Sequence, residues 1–307
     1  MKLSFVIPCY RSGLTIGDVL DEIKGIMGQR PEMDFEIVAV NDCSPDNVLE
    51  ILEEAARTDS RLKVIDCAIN RGKHAALMAG YAHATGDIVV GVDDDGQCPV
   101  DRLWDLIAPL EQGYDMAMAR YGARQERGYK AIGSVVNDWM ARILIGRPKD
   151  LKFSNFTARK KWLCDELAKY TNPYPYLEGL TLRLTKNIAT VPMDERPRTK
   201  GRSSYTFKKS LMLWLNGFTA FSVLPLRMAS FAGLCFSAVG FLAVLVVIVR
   251  KLLNPGMSAG YASIMATLLF IGGVILTSLG LLGEYVGRMY ICLNKSPQYV
   301  IRRTINC

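Results

Sequence analysis

The chain has 307 residues, half of them hydrophobic, and a formal net charge of +7. Its apolar residues are unevenly spread, which argues against an ordinary soluble enzyme. Eight cysteines without a CxxC pair suggest neither a zinc site nor a disulfide framework, and the two histidines, His74 and His83, lack metal-ligand spacing.

Residues 1–8 form a short apolar segment with one lysine. It reads as a strand rather than a leader, so the N-terminal domain is expected to stay on the side where it is made. Residues 3–8 (LSFVIP), 35–40 (FEIVAV), 62–66 (LKVID) and 87–92 (DIVVGV) suit strands buried on both faces. Between them, residues 16–27, 47–56 and 73–83 carry helical patterns. Ser44 is the expected cap of the second of these, with Pro45 in its first turn. Strands alternating with helices predict an α/β fold, Rossmann-like, with a mostly parallel sheet and right-handed crossovers. Further on, a helix is expected at 132–144, and strands at 150–159 and 187–191. Residues 195–202 (ERPRTKGR) read as a basic loop.

The last third changes character. Residues 207–227 read as an amphipathic helix at a membrane surface. Roughly 22 uncharged residues follow from Met228 and roughly 27 from Met257. At about 1.5 Å per residue each run can cross a hydrocarbon core of about 30 Å, giving two transmembrane helices near 228–250 and 258–284. Lys208, Lys209, Arg227, Arg288, Lys295, Arg302 and Arg303 favour a cytoplasmic catalytic domain (1–206) and a cytoplasmic C-terminal tail or helix (286–307). Arg250 and Lys251 in the short connection run against this.

Ligands of parallel sheets sit beyond the carboxyl ends of the strands. Two acidic clusters fall there: Asn41-Asp42, and Asp93-Asp94-Asp95 followed by Gln97. A run of carboxylates can be a solvated loop, a helix cap, or a holder of a hard divalent cation through oxygen ligands. The second cluster on the same rim favours the cation. Neither a dinucleotide fingerprint nor a P-loop is present, so phosphates are left to metal and basic side chains.

The ordered series VIPCY (6–10), VNDCSPD (40–46), NRGKHAAL (70–77), ATGDIVVGVDDDGQ (84–97), RPRTKGRSSYTF (196–207), PLRM (225–228) and GLLGEYVGRMY (280–290) covers nearly the whole chain. It resembles the family 2 glycosyltransferases of the polyprenyl-phosphate type, which include dolichyl-phosphate mannose synthase and bacterial undecaprenyl-phosphate transferases. The resemblance implies a GT-A domain and transfer of a sugar from a nucleotide donor, a UDP-sugar, to undecaprenyl phosphate. The acceptor phosphate is already anionic near neutral pH, so direct displacement at the anomeric carbon, with inversion, is expected. The resemblance also implies that Pro8, Tyr10, Asp42, Lys73 and Asp93 bind the nucleotide sugar, and that Asp95 and Gln97 hold Mg²⁺ or Mn²⁺. Arg198, Gly201, Ser203 and Tyr205 match a loop that closes over donor and acceptor phosphates. Asp93, Asp95, Arg124, Arg127, Arg198 and Arg202 are the candidate catalytic set, the arginines by pairing with phosphate.

The series departs from the family pattern at Arg11, at Cys43 within NDCS (usually DDGS), at Asp94, which has no assigned role, and at Ser204 in place of a loop lysine. Expected partners are the donor, the polyprenyl phosphate, the bilayer of a bacterial inner membrane and other copies of the chain, up to a tetramer, with no nucleic acid. Two other readings are elongation of a glycolipid or polysaccharide, against which stands the lack of a QxxRW motif, and a nonenzymatic nucleotide-binding scaffold.

Overall fold

The computed structural model describes residues 1–122, 148, 151–194, 196, 224–253, 260–294 and 296–307. The chain divides into two units, Met1–Thr206 with Lys295–Cys307, and Phe207–Asn294. Arg124, Arg127, Arg198, Gly201, Arg202, Ser203 and Tyr205 lie outside the described residues, as do the helix expected at 132–144 and residues 207–223 of the expected interfacial helix.

The apolar runs of the first unit form β1 (Lys2–Cys9), β2 (Asp34–Asn41), β3 (Leu62–Cys67) and β4 (Ile88–Gly91), all mutually parallel. They are joined by α1 (Ile16–Gly28), α2 (Val48–Thr58) and α3 (Lys73–His83). After α4 (Leu103–Glu111) the sheet gains β5 (Met116–Tyr121), β6 (Thr157–Lys160) and β7 (Ile188–Met193), with α5 (Lys161–Ala168) and α6 (Leu177–Leu184) between the last two. With β8 (Ile301–Ile305) the eight-stranded order is β7-β5-β6-β4-β1-β2-β3-β8, and only β6 and β8 run against the rest.

Alternation along the strands divides the buried side chains between two faces. Leu3, Phe5, Ile7, Ile37 and Ala39 join one core with Ile16, Val19 and Ile23 of α1, Leu52 of α2 and Leu106 of α4. On the opposite face α3 packs directly over Val6 and Val40 at Gly80. Because it lies between the sheet and α5, every residue from Ala75 to Tyr81 is buried. That two-sided burial is why α3 is apolar all round rather than on one stripe.

Two expectations need correction. Ser44 does not cap α2, which begins at Val48; its hydroxyl instead accepts the Arg11 amide at 2.7 Å and donates to Asp46 at 2.5 Å. The C-terminal segment is not simply a tail. Residues 301–305 pair antiparallel with β3, because an alternating Ile-Arg-Arg-Thr-Ile run can satisfy an otherwise open sheet edge.

The second unit holds α7 (Leu224–Leu253) and α8 (Tyr261–Leu293), 30 and 33 residues long. Their rings meet edge to face at Phe236 and Phe270, with centroids 5.4 Å apart. Among the described residues one stretch, Phe270–Leu293, is long and apolar enough to cross a membrane, whereas the apolar part of α7 is the shorter Ala229–Leu242. Both helices leave large apolar side chains exposed, among them Phe231, Leu242, Leu268 and Leu276.

Candidate active site

Strand order sets where the site lies. From β1 the chain steps to β2 and β3 on one side, then returns to place β4 on the other side of β1. A crevice opens at such a reversal, beyond the carboxyl ends of the two strands. Pro8 marks the point of divergence. It is buried and still in register with Val40 of β2, but it has no amide to extend the β1–β4 ladder, which ends at Val6↔Gly91.

Past that point the two loops are stitched together. The amide of Tyr10 donates to Asp94 Oδ2 at 2.9 Å, and the Thr15 hydroxyl donates to the Asp94 carbonyl at 2.6 Å. Asp94, which carried no role in the sequence, is therefore the tie across the crevice. Burial pushes its carboxyl up to about 6, against the pull of the Tyr10 amide, and the neighbouring Asp93 and Asp95 add to the rise. The Tyr10 ring is 40 % exposed at the rim, with the Arg11 guanidinium 5.5 Å from its centroid.

Asp42 follows β2 and is 4 % exposed. Its two oxygens accept the amides of Arg71 at 2.9 Å and Gly72 at 2.8 Å, while Asn70 Nδ2 donates to its carbonyl at 2.9 Å. Burial raises its pKa and the two amides oppose the rise. The turn into α3 is thus built around Asp42, a role the NRGK stretch did not disclose. That turn delivers Lys73, whose ammonium pairs with Asp93. One side chain thereby neutralises the first of the three clustered carboxylates.

Asp95 and Gln97 close a tight turn, with the Gln97 amide donating to Asp95 Oδ1 at 3.1 Å. Arg196, unassigned in the sequence, clamps this turn. Its amide donates to the Gln97 carbonyl at 3.2 Å, and its carbonyl accepts Gln97 Nε2 at 3.1 Å. The Arg196 guanidinium reaches Glu22 at 2.7 Å and also pairs with Asp101. Holding the amide nitrogen in this way sets the orientation of the Gln97 side-chain oxygen.

Among the described residues no three His, Cys, Asp or Glu side chains converge on a metal-sized site. A carboxylate and an amide oxygen on one turn nevertheless fit Mg²⁺ or Mn²⁺. Such ions keep several waters and take substrate phosphate oxygens rather than an all-protein cage. The structure thus brings Tyr10, Asp42, Lys73, Asp93, Asp95 and Gln97 to one rim, with Pro8 buried just beneath it.

The chain has known counterparts. The description of glycosyl transferase family 2 matches residues 4–159, and that of a GtrB C-terminal hairpin matches residues 224–289. An undecaprenyl-phosphate 4-deoxy-4-formamido-L-arabinose transferase of Proteus mirabilis is 30 % identical over 99 % of this chain and 94 % of its own length. A prophage-derived bactoprenol glucosyl transferase of Shigella flexneri is 29 % identical over 99 % and 98 %. In fold, the chain is similar to glucosyl-3-phosphoglycerate synthase from Mycobacterium tuberculosis, solved with Mn²⁺, UDP-glucose and phosphoglyceric acid. There the TM-score is 0.53 and the identity 20 %, over 71 % of this chain and 79 % of that one.

Proposed function

Because the chain belongs to glycosyl transferase family 2, we propose that this glycosyltransferase moves a sugar from a UDP-sugar to undecaprenyl phosphate, with inversion, at the cytoplasmic face of a bacterial inner membrane. The observation that carries the reading is the gathering of Tyr10, Asp42 and residues 93–97 at the β1/β4 divergence, on a chain that also bears the helical hairpin. Two long helices with exposed apolar surface support a pair of spans. β8 lies in the sheet of the first unit, so two spans would leave the C-terminus on the catalytic side. Copies of the chain associate through these helices.

The division of labour follows from chemistry. Asp42 is acceptor-only while ionised, and each oxygen has a second lone pair to offer a base N–H after serving Arg71 or Gly72. The exposed Tyr10 ring offers a face for stacking. Lys73 holds Asp93 in place and cancels its charge beside an anionic donor. Asp95 and Gln97 would hold a divalent cation, which when bound supplies Lewis-acid stabilisation of the departing diphosphate. A phosphate monoester is already anionic near neutral pH, so its oxygen attacks the anomeric carbon directly and needs no strong base. Arg124, Arg127, Arg198 and Arg202 supply guanidinium forks for that phosphate, and Gly201, Ser203 and Tyr205 complete the closing loop.

The test is a panel of UDP-sugars offered to the purified full chain with undecaprenyl phosphate and Mg²⁺ or Mn²⁺, the extracted lipid being read by mass spectrometry. A mass increase of one sugar residue on the lipid phosphate is expected, and NMR should show an inverted anomeric centre. Transfer that needs no lipid phosphate, or retention of configuration, would overturn the reading.

A further inference from the structure

Among the described residues, a buried cation lies without a counter-charge on the α3 face of the sheet. Arg159 of β6 is 5 % exposed, its guanidinium donates to the Thr157 hydroxyl, and its Nε meets no acceptor. Among the described residues no carboxylate pairs with it. The guanidinium lies 5.4 Å from the centroid of the Tyr81 ring. The Tyr81 hydroxyl and Nδ1 of His74 are also buried, with no hydrogen-bond partner among the described residues. Burial, with Lys73 and Arg159 nearby, pushes His74 down to about 4, so its ring is neutral. A buried guanidinium is costly unless something negative joins it, and orphaned donors beside it add to the cost.

The cluster sits directly beneath the acidic rim. A side-chain carbon on Gly91, two residues before Asp93, would stand 2.9 Å from Thr157 Oγ1 and 3.7 Å from an Arg159 terminal nitrogen. Glycine at this position lets Thr157, its partner across the β4–β6 ladder, and the Arg159 guanidinium pack close against β4. Lys73, the residue before His74, pairs with Asp93 itself.

We propose that Arg159, Thr157, Tyr81 and His74 form a pocket for one carboxylate-type monoanion beneath Asp93. One unneutralised positive charge calls for one negative charge, and a guanidinium fork matches a planar carboxylate. The place of the pocket under the donor rim makes a carboxylate on the transferred sugar the favoured source, which rests on the nucleotide-sugar reading above. A free small anion would bring the same chemistry.

The probe is sodium formate, titrated into the full chain in detergent and low-chloride buffer and followed by calorimetry and thermal unfolding. Saturable stabilisation is expected, with affinity at least tenfold weaker in Arg159→Gln. In formate-free buffer Arg159→Met should unfold at a higher temperature than the parent, because it removes an unpaired buried charge. Equal formate responses in parent and Arg159→Gln, or none in either, overturn the pocket. Should Arg159→Gln fail to fold, the Thr157→Val/Tyr81→Phe double variant carries the same expected tenfold loss. A sugar carboxylate is the source if UDP-glucuronate binds at least tenfold more tightly than UDP-glucose and Arg159→Gln abolishes the difference. Equal binding of the two nucleotides, with formate still binding in their presence, assigns the pocket to a free anion. If neither nucleotide binds, the proposed function falls while the formate titration still decides the pocket.

Discussion

The Tyr10 amide and the Asp94 carboxylate meet at 2.9 Å across the gap where β1 and β4 separate. This bond holds the loop that presents the Tyr10 ring against the loop that carries Asp93, Asp95 and Gln97. Replacing Asp94 by Ala leaves the amide without its acceptor, at a cost of about 1–3 kcal/mol. The expected result is a KM for the nucleotide donor raised roughly tenfold or more, since each 1.4 kcal/mol is a factor of ten. Asp94→Asn retains an acceptor oxygen and should lose less. Steady-state kinetics on both variants decide the matter, and an Ala variant with unchanged KM would remove Asp94 from the site.

Cys43 occupies the left-handed region at φ 50°, between Asp42 and Ser44. A side chain there crowds the following carbonyl, at a cost of roughly 1–2 kcal/mol that glycine avoids. Glycine also loses more backbone freedom on folding, which takes back part of the gain. Cys43→Gly should therefore stabilise the protein by about 0.5–1 kcal/mol with donor affinity unchanged, as read by urea titration. Destabilisation would mean that the thiol makes a contact worth more than the strain.

The legibility of the chain follows the physics of each element. The four parallel strands and their three helices were readable because strands buried on both faces leave short unbroken apolar runs, α1 and α2 leave a 3.6-residue period, and α3, buried on two sides, leaves a longer small-residue apolar run. β5 passed unnoticed, since MAMARY is rich in Met and Ala and poor in β-branched residues. β8 was hidden for another reason, since a strand of five residues with two adjacent arginines reads as a charged tail unless the open edge of β3 is known. Within the site, side chains on strand ends were legible, but contacts made by backbone atoms were not. The amides of Arg71 and Gly72 and the backbone of Arg196 leave no mark in a residue alphabet. Cys43 was visible only as a departure from a pattern, with its physical meaning supplied by φ.

The C-terminal strand also reaches the Asp42 side of the site. Asp66, 2 % exposed, accepts Asn41 Nδ2 at 2.8 Å, and Asn41 Oδ1 accepts the Ser44 amide at 3.1 Å, bracketing Asp42. Arg302 and Arg303 of β8 lie 3.4 and 3.8 Å from the other Asp66 oxygen. Both arginines are at least half exposed, so each contact is screened and worth no more than about 1 kcal/mol. The Arg302→Ala/Arg303→Ala variant should accordingly raise donor KM about threefold to tenfold while leaving kcat close to the parent value. A fall in kcat at constant KM would argue against this route from β8 to the Asp42 turn.

Glu36 gives the fold a dependence on acid at the opposite end of the strands. It is 2 % exposed and accepts Ser4 Oγ at 2.7 Å, the Thr85 amide at 2.6 Å and the Thr85 hydroxyl at 2.8 Å, with Lys2 and Lys63 Nζ at 2.8 and 3.1 Å. Burial alone would raise its pKa, but Lys2 and the hydrogen bonds from Thr85 and Ser4 outweigh that and hold it at about 2, against an ordinary 4.5. A carboxyl depressed on folding adds stability that is fully present above pH 4.5 and is lost as pH falls toward 2. The shift corresponds to about 3 kcal/mol. Glu36→Gln should lose stability of that order at pH 7, because Lys2 and Lys63 are left without their counter-charge. Below pH 4.5 the gap between parent and variant should close, since the parent carboxyl becomes neutral as well. Urea titrations at half-unit steps from pH 7 to pH 2 measure this directly, and a gap that stays constant across the window would rule out Glu36 as its cause.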